Sequence, residues 1–595
     1  MANDEVIPND QPIDVKTVKI LLNGEEMNNV YGIEAVSVFK EVNKIPSAQI
    51  TIIDGDVSKR KFEASDSGDF DPGTSVEIKA GYGGSVETIF KGVIVRQGVK
   101  ITKSKNSVLR IEAKDEYAGL CIGRKNAYFY DSLDSDIISE ILKTHKDNYQ
   151  ANIDRDYTLT QEIEDTELEH TEMIQYYVSD WDFIVTRAEK NGMLVNVSDG
   201  NFKVDKPTLS GDPALTLLFG ATMFEFESEI DAYSQYKSIE SSSWNMSDQE
   251  TEVIESVEPN LEDQGKLSGA DLSKVFGIDV LGIQRPGSIA DQELQQWADA
   301  RLLKSRLARI RGRVKCQGYS GVVPGDVIEI KGVGDHYNGK VFVSGTRHVI
   351  TDENWELDIQ FGLKEDWFSE TEDIVDTPAS GLVPAINGLH VGVVTQIEGD
   401  PESEFRMLVR APMISGEDDG VWARVAQLDA GDGRGTYFRP EIGDEVILGF
   451  LNCDPRNAVV LGALHSSKLP SPIEPSDDND QKGIISRNGM QLLFDDKDNI
   501  IQLETEEGKN KIHLTEKDGG IFIEDENGNK IEMSSDGILI ESAGDINLKA
   551  SGDINLEGMN IAGAANSEVK FEGTSGAEIS TNGVAVIKGS LVQIN

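Results

Sequence analysis

Residues 536–595 read DGILIESA, GDINLKAS, GDINLEGM, NIAGAANS, EVKFEGTS, GAEISTNG, VAVIKGSL and VQIN, seven blocks of eight followed by a block of four. Most blocks carry two apolar residues two positions apart: Ile538/Ile540, Ile546/Leu548, Ile554/Leu556, Val569/Phe571 and Ala577/Ile579. The pair slips by one position after Met559 and weakens at Ile561. Alternation with period two marks a strand with one buried face, and the Gly, Asn, Ser and Asp residues between pairs supply turns. Similar pairs recur upstream at looser spacing, at Leu492/Phe494, Ile501/Leu503, Ile512/Leu514, Ile521/Ile523 and Ile531/Met533. A repeat of this kind decides architecture.

Two aliphatic side chains per octad are too few for a sandwich core, and a short strand leaves both edges unpaired. Stacking the octads into a β-helix pairs the edges. Three chains wound round one axis would give each octad one face of a triangular prism, with Ile538, Ile540, Ile546, Leu548, Ile554 and Leu556 turned inward. About thirteen strands at ~4.8 Å each predict a shaft on the order of 60 Å. A single-chain β-solenoid is the plainer alternative. A calcium-binding array needs doubled glycines in each repeat, and GDINLKAS lacks them.

The 595 residues suggest several domains. A net charge of −49 makes nucleic acid and anionic lipid poor direct partners. Cys121, Cys316 and Cys453 lie far apart without CxxC spacing, so no disulfide framework or zinc site is implied. MANDEVIPND lacks the apolar core of a signal peptide, and no run reaches the length of a membrane helix. Synthesis in a reducing cytoplasm is the expectation.

From Val15 to Ala113 the pattern is β, in closely spaced strands with glycine turns. Residues 131–145 switch to helical spacing, with Ile137, Ile138, Ile141 and Leu142 on one side and Asp134 or Ser135 as the cap. A second helix follows in YYVSDWDFIVTRAEKNG, with Ser179 and Asp182 placed as a capping box and Asn191-Gly192 as its stop. The acidic stretch 245–275 reads as a loop, and 289–309 as a helix leading into a second strand-rich unit. Five strands within 388–466 fit a small barrel of the OB type. The expected organisation is mainly β: a first hub β-barrel (1–125), a helical and β insertion (126–225), a second hub β-barrel (226–365), a linker (366–387), the OB-fold (388–466), a linker (467–484) and the intertwined trimeric β-helix needle (485–595).

Chemistry is sparse. Gly334 to Lys340 matches GxxxxGK, but Val341 stands where a magnesium-binding Ser or Thr is needed and a strand follows, so this is a hairpin turn. His170, His336 and His348 lack metal-ligand spacing, and His513, between inward-facing Ile512 and Leu514, should face solvent. No nucleophile elbow or Cys/His signature occurs. No catalytic, cofactor-binding or metal residue is expected.

At WARVAQLDAG (422–431), YFRPEIGDEVILGF (437–450), CDPRNAVVLGAL (453–464) and the octads ending in VQIN, the chain resembles the VgrG family, spikes of type VI secretion and related phage-tail-like injection systems. HTEMIQYYVSDWDFIVTRAEKNG and PGDVIEIKG are similar to parts of that family's hub. Trp422, Pro440, Gly443, Asp444, Glu445, Asp454, Pro455 and Gly462 carry the OB part of the likeness. The resemblance implies a homotrimer whose six barrels match a six-fold inner tube, baseplate partners, effector cargo, transient contact with a target membrane, and a PAAR-type tip protein. The tip would dock on Val592, Gln593, Ile594 and Asn595, where the prism leaves backbone groups unpaired. It further implies assembly in the cytoplasm, ejection with the machine, and no enzymatic activity. The competing function is a trimeric tailspike-like adhesin that binds or hydrolyses glycans. Against hydrolysis, the octads from Gly528 hold Phe571 as their one aromatic, where a glycan site needs aromatics beside paired carboxylates.

Overall fold

A computed structural model describes residues 15–103, 107–153, 158–261, 264–371, 374–517 and 519–594. The chain divides into two compact units, Met1–Leu382 and Val383–Asn595.

The first unit is built on one 13-stranded sheet. Its N-terminal half holds Lys16–Leu22, Gly32–Glu41, Ser47–Ile53, Ser75–Tyr82, Ser85–Ile101 and Ser107–Lys114. Their inward residues, among them Val36, Val38, Ile50, Ile78, Phe90 and Leu109, form one core. The later half holds Met223–Ile230, Ile310–Gln317, Gly339–Thr351 and Trp355–Phe361, around a second core that includes Val314, Ile328, Val343 and Ile359. The two strand-rich halves expected as hub barrels are thus two cores on a continuous sheet. The seam is antiparallel pairing of Gly32–Glu41 with Gly339–Thr351, from Gly345 opposite Glu41 to Thr351 opposite Ala35. Gly334 to Lys340 is the hairpin turn expected, since Ile330 pairs with Gly339 across it.

Between the halves lies a third core with two helices, Asp134–Asn152 and Asp180–Lys190. Ile137, Ile138, Ile141 and Leu142 are all buried on the first, as their spacing predicts. Ser179 caps the second through Asp182 N–H at 3.1 Å, and Gly192 follows its end at φ 71°. The first helix departs from expectation. Its N-cap is Leu133, and neither Asp134 nor Ser135 caps it. Asp134 instead turns into the core, where Arg187 donates at 2.7 and 2.9 Å, Asn191 at 2.8 Å, and His170 lies at 3.2 Å. Burial alone would raise its pKa, but hydrogen bonds from His170 and Arg187 outweigh burial and hold it well below the usual carboxylate range. The acidic stretch 245–275 also differs from a plain loop. Glu250–Glu255 forms a strand beside Ser238–Asn245, with Glu250 and Glu255 exposed and Glu252 half-buried.

In the second unit, His390–Gln396, Met407–Arg410, Val421–Val425, Glu445–Phe450 and Ala458–Ala463 close into a five-stranded barrel. Val394, Met407, Val409, Val446, Leu448 and Val460 fill it. Beyond it, seven strands from Gln481–Ile485 to Gly537–Glu541 form an antiparallel ribbon.

Candidate functional site

The ribbon's strands are five residues each: Gln481–Ile485, Gln491–Asp495, Ile500–Glu504, Lys511–Thr515, Gly520–Glu524, Lys530–Ser534 and Gly537–Glu541. Each interior strand pairs with both of its sequence neighbours through short turns, while Gln481–Ile485 and Gly537–Glu541 each pair on one side. Turn residues such as Gly519 and Gly528, both left-handed, fold the strands back on themselves.

What the chain leaves open is a face. Leu492 pairs with Leu503, Leu503 with Ile512, Ile512 with Ile523, Ile523 with Ile531, and Ile531 with Ile540. A second column runs Phe494, Ile501, Leu514, Ile521, Met533, Ile538. Directly opposed residues share a face, so both columns lie on one side of the sheet. That side is open: Ile523 is 38% exposed, Leu503 48% and Ile538 71%. The opposite, polar side is the better covered. There the His513 ring lies 2.8 Å from Glu504, Lys511 pairs with Glu524 at 2.8 Å, and Lys530 with Glu541 at 3.2 Å. Burial works against the Glu504 charge, but hydrogen bonds from His513 and Gln491 hold its carboxyl below the usual range. The hydrogen bond from Lys511 does the same for Glu524. A soluble sheet buries its apolar side; this one shows the reverse.

Past Glu541 no strand forms among the described residues 542–594, and every residue from 543 to 594 is exposed. Of the residues expected in the needle core, Ile538 and Ile540 join the two columns. Ile546, Leu548, Ile554 and Leu556 lie in the strandless stretch with no in-chain strand partner. Val592, Gln593 and Ile594 are exposed there as well, and Asn595 lies outside the described residues.

The OB motif residues are turn-makers and barrel staves. Trp422 stands opposite Leu408, Glu445 opposite Val393, and Gly462 opposite Ile447. Pro440 leads into a tight turn in which Asp444 accepts from Glu441 N–H at 2.8 Å. In the same turn Gly443, at φ 93°, donates to Val394 at 2.8 Å. Asp454 is buried, accepts from Arg456 N–H at 2.9 Å and pairs with its guanidinium at 2.6 Å, ahead of Pro455. Among the described residues no group of three His, Cys, Asp or Glu is placed to hold a metal ion.

The sequence profile of the Alg8 N-terminal domain matches residues 12–352, more than half of the chain. The chain belongs to that family. Downstream of its Alg8 N-terminal domain, residues 390–465 match the type VI secretion system/phage-baseplate injector OB domain, which coincides with the closed barrel. The similarity to VgrG proteins holds as well. The chain is 25% identical over 265 residues to the type VI secretion system spike protein VgrG1a of Pseudomonas aeruginosa, covering 40% of each. It is 26% identical over 261 residues to VgrG1b of the same organism, covering 40% of this chain and 34% of the relative. The matched regions therefore span well under half of those spike proteins. An E. coli type VI secretion component similar to phage T4 tail proteins gp27 and gp5 aligns with 75% of this chain, at 13% identity and a TM-score of 0.38.

Proposed function

We propose that the chain is the homotrimeric central spike and hub of a contractile injection machine. The observation that carries this reading is the ribbon whose apolar side is its open side, continued by more than fifty residues with apolar pairs and no strand. Backbone N–H and C=O groups need partners, and apolar columns need cover. Two further copies on a three-fold axis supply both. Each copy lays its columns of Leu503, Ile512, Ile523 and Ile531 against the others, and the octads from Ile546 onward wind together as strands. The two cores of the first unit, taken three times, give six similar units, the number a six-fold tube protein would meet. Relatives that are spike proteins and the baseplate-type OB domain support this role.

In this reading the protein is structural and non-catalytic. It assembles in the cytoplasm against tube and baseplate components, carries effectors, and is ejected across a target membrane. A PAAR-type protein caps the tip at Val592, Gln593, Ile594 and Asn595. Electron cryomicroscopy of the intact particle tests the reading: density for three copies at the centre of the baseplate, with the octads leading, is expected. One copy, or a peripheral position, contradicts it. Deleting 592–595 is expected to leave the trimer intact and abolish co-purification of the cap; a retained cap removes that docking site.

A further inference from the structure

The strands Lys125–Leu133 and Glu169–Val178 form a two-stranded sheet over the helical core, with Phe129 and Gln175 facing inward. The outer side is unusual. Tyr130 stands opposite Glu172 and Tyr128 opposite Ile174, and both tyrosines are more than 60% exposed. Their rings run parallel, 6.2 Å apart with 9° between planes. The pairing register then shifts between Gln175 and Val178, a bulge that leaves Tyr176 82% exposed and Tyr177 44% exposed. Four of the chain's fourteen tyrosines thus stand on one small surface.

The bulge is built, not loose. Tyr177 sits at φ 42°, a left-handed conformation costly for an aromatic residue. Its N–H donates to the Asn126 side chain at 2.8 Å, and its carbonyl accepts from Arg124 at 3.1 Å. Gln175 ties the bend to Val178 O at 3.2 Å and to Asp180 at 3.0 Å. Strain fixed by three side chains holds two consecutive tyrosines in solvent.

The charge around them sets the partner's chemistry. Glu172 and Asp131 have no ion-pair partner among the described residues. Arg124 and Lys125, at the start of the first of these strands, are engaged elsewhere, Lys125 with Asp180, and Arg124 with the carbonyls of Tyr177, Ile374 and Val375. Tyrosine faces beside free carboxylates attract planar cations: a guanidinium stacks on a ring and donates to a carboxylate at once. We propose that this face docks a basic protein segment that presents arginine side chains to Tyr128, Tyr130, Tyr176 and Glu172. The chain's net charge of −49 brings such a segment in; the tyrosines select arginine over lysine.

The test uses the full chain and two labelled peptides of equal charge, GRSRGRSG and GKSKGKSG, with chitohexaose as a third probe. Fluorescence anisotropy should show the arginine peptide binding about fivefold tighter than the lysine peptide. Tyr128→Leu with Tyr130→Leu should remove that preference while leaving the melting temperature unchanged, and Glu172→Gln should weaken both peptides. Equal affinity for the two peptides, or a preference that survives the tyrosine double variant, overturns the proposal. Chitohexaose binding lost in the double variant, or self-association lost in it, also overturns it by assigning the face to a glycan or to a second copy.

Discussion

The OB barrel and the ribbon that follows it use one sequence pattern and reach opposite outcomes. Val446 and Leu448, two positions apart, are fully buried; Ile521 and Ile523, also two apart, are each 38% exposed. Both pairs sit in antiparallel strands, with Ile447 and Phe522 as the residues between them. The barrel closes because Val421–Val425 and Ala458–Ala463 pair in parallel, which curls the apolar side onto itself. The ribbon has only nearest-neighbour hairpins, so its apolar side stays open. Alternation states which side wants cover; connectivity decides whether the chain or another copy provides it.

That contrast can be broken most severely inside the ribbon. Ile512→Asp or Ile523→Asp places like charges near a shared axis, each costing several kcal/mol before mutual repulsion. Trimer assembly should fail, read by sedimentation, whereas Lys549→Asp on a polar position should leave it unchanged. Equal effects would mean that the columns are not the interface. The barrel should answer differently. Leu448→Ala removes buried volume within one chain and should cost about 2–5 kcal/mol in the barrel's unfolding, with oligomeric state unaltered.

A comparable loss is expected in the first unit from Arg187→Ala, which leaves the Asp134 carboxylate buried without its main partner, at about 3–5 kcal/mol. Because the folded-state pKa of Asp134 is depressed, its contribution is present above the ordinary aspartate value and lost as pH falls below it. Denaturant midpoints of wild type and Arg187→Ala should therefore converge as the solution is acidified through that range. The smallest effect belongs to the ribbon's polar side. Lys511 and Glu524 are partly solvated, so Lys511→Ala should shift stability by about 0–1 kcal/mol, less at high salt.

Much of this was legible from residues alone. The helical stripe Ile137, Ile138, Ile141, Leu142, the Ser179 cap, the hairpin at Gly334 to Lys340 and the five barrel strands all follow from local periodicity and turn chemistry. Asp134 misleads as a helix cap because its partner, Arg187, is 53 residues away, beyond any local rule. Glu250–Glu255 is hidden by its glutamates, which an exposed strand tolerates. The octads show apolar pairs two positions apart, but whether edges or faces remain open depends on which strands become neighbours, and that is a property of the folded ribbon. Tyr128 and Tyr130 in AYFYD show alternation; the bulge that adds Tyr176 and Tyr177 needs the register of two strands brought together by the helix between them.

Sedimentation equilibrium of the intact purified chain at micromolar concentration is the most direct measurement. Three copies wound through 542–594 predict a mass about three times 65.2 kDa that persists on dilution. A stable species of 65.2 kDa with the ribbon still folded would contradict the trimeric spike.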